Sequence, residues 1–161
     1  MRLPKMRRAR PMVRFGDMSQ PRLVETTLEF PYSRTLGPVV GAFLAGLREH
    51  RILGIRTRDG KVLIPPLEYD PQTGDALEEL VEVGPPGTVG AWTWVDDPTS
   101  KHPLDRPFAF ALVTPDGADS AMVHAVDAGS IDRMSTGMRV RPRWRAEPHN
   151  MIDDIACWEP T

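Results

Sequence analysis

Two adjacent prolines, Pro65-Pro66, end the run Lys61-Val62-Leu63-Ile64 and most constrain how this chain can fold. Proline has no N–H for a ladder and its ring fixes φ, so a strand does not run through such a pair. The strand that ends there is short, and the chain must turn on both sides of it. Turn-forming clusters stand at matching spacing around it, Arg56-x-x-Asp59-Gly60 before and Asp70-Pro71-Gln72-Thr73-Gly74 after. The segment from Gly54 to Gly74 therefore reads as two knuckles flanking one short strand.

Paired knuckles of this kind ordinarily carry two Cys-x-x-Cys sets that close a tetrahedral zinc site. Here the four places hold Arg56, Asp59, Asp70 and Thr73. A cation, two carboxylates and a hydroxyl do not make that site. The expectation is a degenerate, cysteine-free, zinc-ribbon-like knuckle without metal: Arg56 pairs with Asp59 or Asp70, and Asp70 and Thr73 accept hydrogen bonds from turn amides. The competing reading is two ordinary surface turns of coincidental spacing.

Upstream, Leu36, Val39, Val40, Phe43 and Leu47 recur at helical spacing and predict an amphipathic helix over 35–51. Pro38 suits its first turn, with Ser33 or Thr35 as the cap. Gly37, Gly41 and Ala45 form a second stripe of small residues. That stripe admits close packing by the chain's own barrel or knuckle, or by another subunit.

Downstream the pattern is mostly β. Strands are expected at 77–83, 88–95, 108–114, 120–125 and 138–145, with Pro115-Asp116-Gly117 turning a hairpin and a short helix within 127–137. The strand at 88–95 sets Val89, Ala91, Thr93 and Val95 on one face and Gly90, Trp92 and Trp94 on the other. Two tryptophans on a second face require a cover, from within the chain or from a partner or ligand. The twelve residues Asp96 to Pro107 form a long loop holding Lys101, His102, Asp105 and Arg106; its cations suit the phosphates of a nucleotide-containing cofactor, or simply solvent. Apolar residues return at 152–158, as an added strand or a docking segment.

Composition narrows the class. No apolar run approaches the roughly 18 residues of a membrane span. The single cysteine, Cys157, forms no intrachain disulfide and suits a reducing cytoplasm, and it reads as a small apolar residue rather than a nucleophile. Residues 1–14 hold six basic side chains and no acid, which leaves 14 bases against 22 acids in the remainder, a net charge of −8. His50, His102, His124 and His149 are scattered without metal-ligand spacing, and no phosphate loop, dinucleotide fingerprint or nucleophile elbow is present.

Several stretches together carry a family resemblance: Phe43-Leu44-x-x-Leu47, Gly60-Lys61-Val62-Leu63-Ile64-Pro65-Pro66, Gly87-Thr88-Val89, Thr93, Pro107-Phe108 and Gly137-Met138-x-Val140. In this order they resemble an OB-fold family, long known by a domain-of-unknown-function number, whose members join a rubredoxin-like zinc ribbon to an OB barrel. Those members accompany thiolase-superfamily enzymes that act on acyl-CoA thioesters. Pro65 to Pro71 and His102 to Pro107 resemble most the branch that accompanies a steroid side-chain aldolase.

The resemblance implies a five-stranded OB-fold barrel at 77–146, preceded by the helix with its knuckle at 32–76 and followed by a docking tail at 147–161; the charge of the first residues, not the resemblance, marks 1–31 as a basic, flexible arm, either disordered or a tether to an acidic partner surface or nucleic acid. It implies a non-catalytic accessory subunit in an α2β2 complex with a thiolase-like aldolase or acyltransferase. Val39, Val40, Phe43, Leu47, Pro65, Pro66, Trp92 and Trp94 are the implied partner interface, and Lys101 and Arg106 the implied contacts to coenzyme A phosphates. No tightly bound cofactor is expected, and no zinc despite the family habit. The alternative is a single-stranded nucleic-acid binder, which the acidic body disfavours.

Overall fold

The computed structural model describes residues 35–161, which form one compact unit. The basic arm expected at 1–31 and the cap proposed at Ser33 lie outside the described residues.

Helix α1 spans Pro38–Arg48. Val39, Phe43 and Leu47, one helical turn apart, are buried and turn the helix onto the sheet that follows. Its start is set neither by Thr35 nor by any other neighbouring side chain. Gly37 is the N-cap with φ +77°, and the Glu68 carboxylate accepts hydrogen bonds from the N–H groups of Val39 (3.1 Å) and Val40 (3.3 Å). An anion on the unpaired amides of a helix N-terminus is favourable. A Cβ at position 37 would lie 2.4 Å from a Glu68 oxygen, so glycine leaves room for this cap.

Strands β1 (Ile52–Arg56), β2 (Val62–Leu63) and β3 (Leu80–Val83) make a small antiparallel sheet ordered β2-β1-β3. A side chain at Gly54 would come within 2.6 Å of Val62, so the tight crossing of β1 by β2 requires glycine there. The outer edge of β2 is closed from the barrel. Val62 N–H donates to Asp119 (2.7 Å), Asp119 N–H donates to the Val62 carbonyl (2.7 Å), and the Ser120 hydroxyl bridges Ile64 N–H and C=O (2.7 and 2.9 Å).

Strands β4 (Gly87–Val95), β5 (Phe108–Pro115), β6 (Met122–Val126), β7 (Arg139–Trp144) and β8 (Ile155–Pro160) close a five-stranded barrel in the order β4-β5-β6-β8-β7, with β7 returning to β4. The mostly-β OB fold expected from the sequence is thus present. Its strand list differs in two places. The segment expected as the first barrel strand belongs to the small sheet as β3. Of the two readings open for the apolar tail, the added strand is the one found: β8 supplies the last barrel strand, pairs antiparallel with β7 and meets β6 in parallel at Val126–Trp158. Ile155, Cys157 and Trp158 are fully buried there, and a closed barrel leaves that apolar alternation no outward role. Within 127–137 a single 3-10 turn, Ile131–Arg133, stands where a plug helix was expected, and Met134 behind it is buried in the core.

A bulge in β4 decides the tryptophans. Val89 faces Val113 but Trp92 faces Ala111, so three residues of β4 advance against two of β5. The extra residue reverses the alternation. Trp92 and Trp94 pack against the same core as Val89, and Ala91 and Thr93 are the exposed residues. No helix among the described residues is long and apolar enough to cross a membrane.

Candidate functional site

The four knuckle positions are each held by polar contacts. Arg56 pairs with Glu79 (2.8 Å) and donates to the Gly60 carbonyl (3.2 Å), not with Asp59 or Asp70 as expected. Asp59 accepts from the Thr57 hydroxyl and pairs with Lys61 (2.8 Å), whose hydrogen bond is the larger cause holding the Asp59 carboxyl down at about 2. Asp70 accepts the N–H groups of Gln72 (2.8 Å) and Thr73 (3.2 Å), which also lowers its pKa, and the Thr73 hydroxyl accepts from Asp75 N–H (3.3 Å). The link between the knuckles is Arg58 to Asp75 at 3.0 Å. Sequence spacing drew attention to the ligand places and missed Arg58, which lies between two of them. This donor set does not fit zinc: one position is a guanidinium, and both carboxylates are already engaged by a cation or by turn amides.

On the barrel, the loop between β4 and β5 is anchored rather than loose. His102 Nδ1 accepts Thr99 N–H (2.8 Å), and the ring packs on Phe108 and Phe110 at 5.9 and 6.2 Å. Leu104 joins Phe108, Ala125 and Cys157 in a secondary apolar cluster. The two cations expected to meet phosphates are not brought together in one role. Arg106 is paired with Asp127, while Lys101 is exposed and makes no ion pair among the described residues. Asp127, Cys157 and Glu159 place their ligand atoms within 4.8 Å of one another. Arg106 and Arg143 neutralise that group, with Arg143 at 2.8 Å from Glu159 and 3.6 Å from Asp127. Burial, the largest cause, pushes the Cys157 thiol up to about 11, so it stays a protonated, inert apolar group.

Most residues expected at a partner interface are used internally. Val39, Phe43 and Leu47 are buried beneath α1, Pro66 is buried, and the two tryptophans are half-buried against the core. Val40 is half-buried and Pro65 exposed. The open apolar surface lies instead on the outer side of β4–β6, where Thr93 stands opposite Phe110 and Leu112 opposite Val123. The signal was legible in β5, whose sequence FAFALVTP is apolar at both parities. The connection from β7 to β8 borders this face. It is organised by the buried Asp154, which accepts N–H groups from His149 (2.8 Å), Asn150 (2.9 Å) and Met151 (3.3 Å) and so fixes Ile152 beside His124. His124 Nδ1 accepts Ala125 N–H (2.9 Å), and burial lowers its pKa and keeps the ring neutral.

An OB barrel joined to a helix and a three-stranded ribbon defines the class of protein. Residues 80–145 match the family of ChsH2 C-terminal OB-fold domains. Over those residues the chain is similar to ChsH2-type OB-fold domains, in line with the resemblance drawn from its motifs. The match begins in β3 and ends before β8, so it covers most of the barrel but not its closing strand.

Among solved structures, the chain is similar to a DUF35-family protein of unknown function from Sulfolobus solfataricus. The identity is 18%, the TM-score 0.54, and the likeness covers 66% of this chain and 78% of that one. It is also similar to a chain of the Ltp2–ChsH2(DUF35) aldolase, at 17% identity and TM-score 0.58, over 80% of this chain and 98% of that one. No curated protein matches the sequence.

Proposed function

We propose that this chain is the non-catalytic companion subunit of a thiolase-like enzyme, an aldolase or acyltransferase acting on acyl-CoA thioesters in steroid or lipid side-chain breakdown. The observation that carries this reading is the likeness to the aldolase chain over 98% of that chain's length, which takes in ribbon as well as barrel. Two features of the molecule support a companion rather than a self-sufficient enzyme. Cys157 is a buried, protonated thiol, and His124 is a neutral ring with its Nδ1 occupied. The reacting groups then belong to the partner, and this subunit holds the substrate arm so that the reacting carbon is presented at high effective concentration.

On this reading Lys101 is the stronger candidate for a coenzyme A phosphate, because Arg106 already neutralises Asp127. The ribbon is held by its polar braces in place of zinc, the assembly is α2β2, and it works in the cytoplasm. The test is reconstitution: the chain co-expressed with thiolase-superfamily subunits of its own genome, purified, weighed by light scattering and assayed for metal and for acyl-CoA cleavage or transfer. A stoichiometric complex that turns over acyl-CoA, with neither subunit active alone, is the expected result. Turnover by this chain alone, or recovery with single-stranded nucleic acid and no thiolase-type partner, overturns it.

A further inference from the structure

The outer side of β4–β6 is an open apolar face between two loops. Val123 is 65% exposed, Ile152 42% and Leu112 39%. Two adjoining clefts of about 260 and 180 Å³ share Phe110 and Val123. Among the described residues Asp153 is the one carboxylate lining them, and it is tied to Arg145 and His149. A contiguous patch of branched aliphatic and aromatic surface is costly to leave in water and marks an interaction site.

Its chemistry selects the occupant. Barrels of this topology use this face and its two bordering loops to hold oligonucleotides and oligosaccharides. That use needs free cations or hydrogen-bonding groups beside the exposed rings. Here Arg106, Arg143 and Arg145 are each tied to a carboxylate, and the larger cleft is lined almost entirely by apolar side chains, while in the smaller one Asp153 is ion-paired and His124 has its Nδ1 occupied. The bordering loops carry Asp97 and Glu147, which make no ion pair among the described residues, and Asp105, whose side chain is 95% exposed; among the described residues, Lys101 is the one lysine or arginine there without an ion pair. A second copy seated on this face would bring carboxylates against carboxylates, which like charges oppose.

We propose that Phe110, Leu112, Val123 and Ile152 form the centre of the docking surface for the partner subunit, and that the partner's matching surface is apolar in the middle and bordered by lysine or arginine. This rests on the companion reading above. Centres of interfaces carry most of the binding energy, whereas rim charges act on encounter rate.

The experiment compares wild type, the double variant L112E/V123E and the rim variant D97K/E147K, each with the co-expressed thiolase-superfamily subunit. Both central residues face solvent, so the fold is retained, as checked by circular dichroism; L112S/V123S is the milder second variant. The expected result is a loss of affinity of about 100-fold in L112E/V123E, a smaller loss in L112S/V123S, and slower, less salt-dependent association in D97K/E147K. Undiminished affinity in L112E/V123E overturns the surface and leaves the companion reading standing. Failure of wild type to bind any thiolase-type subunit removes both. A wild-type homodimer that L112E/V123E makes monomeric assigns the face to a second copy and overturns the partner.

Discussion

The ribbon and the barrel hold themselves together by opposite means. The barrel is closed by apolar burial around a continuous hydrogen-bonded ring of strands, with Trp158, Ile155 and Val140 fully buried at its seam. The ribbon has three short strands and two knuckles, too little apolar area for that solution. It relies on the buried face of α1 and on a lattice of polar contacts: Arg58–Asp75, Lys61–Asp59, Arg56–Glu79, the Glu68 cap, and the Asp119 and Ser120 bonds from the barrel hairpin. In a zinc ribbon the metal carries much of this load. Here the barrel and the helix carry it, and the ribbon is the more conditional of the two.

Ways to break that contrast begin with the barrel seam. Trp158→Ala removes a fully buried indole and is expected to cost about 3–5 kcal/mol, read as a drop in the urea midpoint. Trp158→Phe is expected to cost far less, since the Trp158 Nε1–H has no partner among the described residues and its loss removes no hydrogen bond there. Equal losses in the two variants would contradict a Trp158 side chain that stabilises the seam by burial and not by a hydrogen bond.

Next comes the join. Asp119→Ala leaves the Val62 amide without its acceptor, at about 1–3 kcal/mol, and hydrogen exchange should then speed in β2 before it speeds in β5. Uniform acceleration would show that ribbon and barrel open only together. A smaller effect follows from pH. His124 is buried with its pKa lowered, so the unfolded chain binds the extra proton; stability is full above about pH 6.5 and falls below it, by at most about 1.4 kcal/mol per pH unit. Replacing His124 with Asn should flatten the curve below about pH 6.5.

Glu68→Ala removes the cap of α1 and is expected to cost about 1 kcal/mol, seen as lost helical signal and a lower melting temperature. The smallest expected effect is none: a strong chelator should leave the melting temperature unchanged. A fall of several degrees on chelation would mean that the knuckles depend on metal after all, and would remove the basis of the contrast.

How much of this was legible beforehand depended on whether the deciding contacts were local. The helix stripe Val39, Phe43 and Leu47, the strand ending at Pro65-Pro66, and the hairpin at Pro115-Asp116-Gly117 were all readable, because periodicity and turn chemistry act within a few residues. The apolar outer face of β5 went unread, although its sequence is apolar at both parities. The inward tryptophans were not readable: alternation put Trp92 and Trp94 opposite Val89, and a bulge of one residue reversed them. Nor was the cap of α1, whose carboxylate lies 29 residues from the amide it accepts.

By itself, the sequence determined a mostly-β chain with one amphipathic helix, a cysteine-free pair of knuckles and enough strands for a small barrel. Those features follow from local backbone preferences and from which side chains repel water. Only the tertiary structure decided which five strands close the barrel, moving Leu80–Val83 to the ribbon and bringing Ile155–Pro160 in to complete the ring. It also decided which cations are free, since Arg106 and Lys101 look alike in one loop until Asp127, 21 residues on from Arg106, neutralises one of them. Closure and charge pairing are set by what meets in space, and a linear pattern does not encode distance.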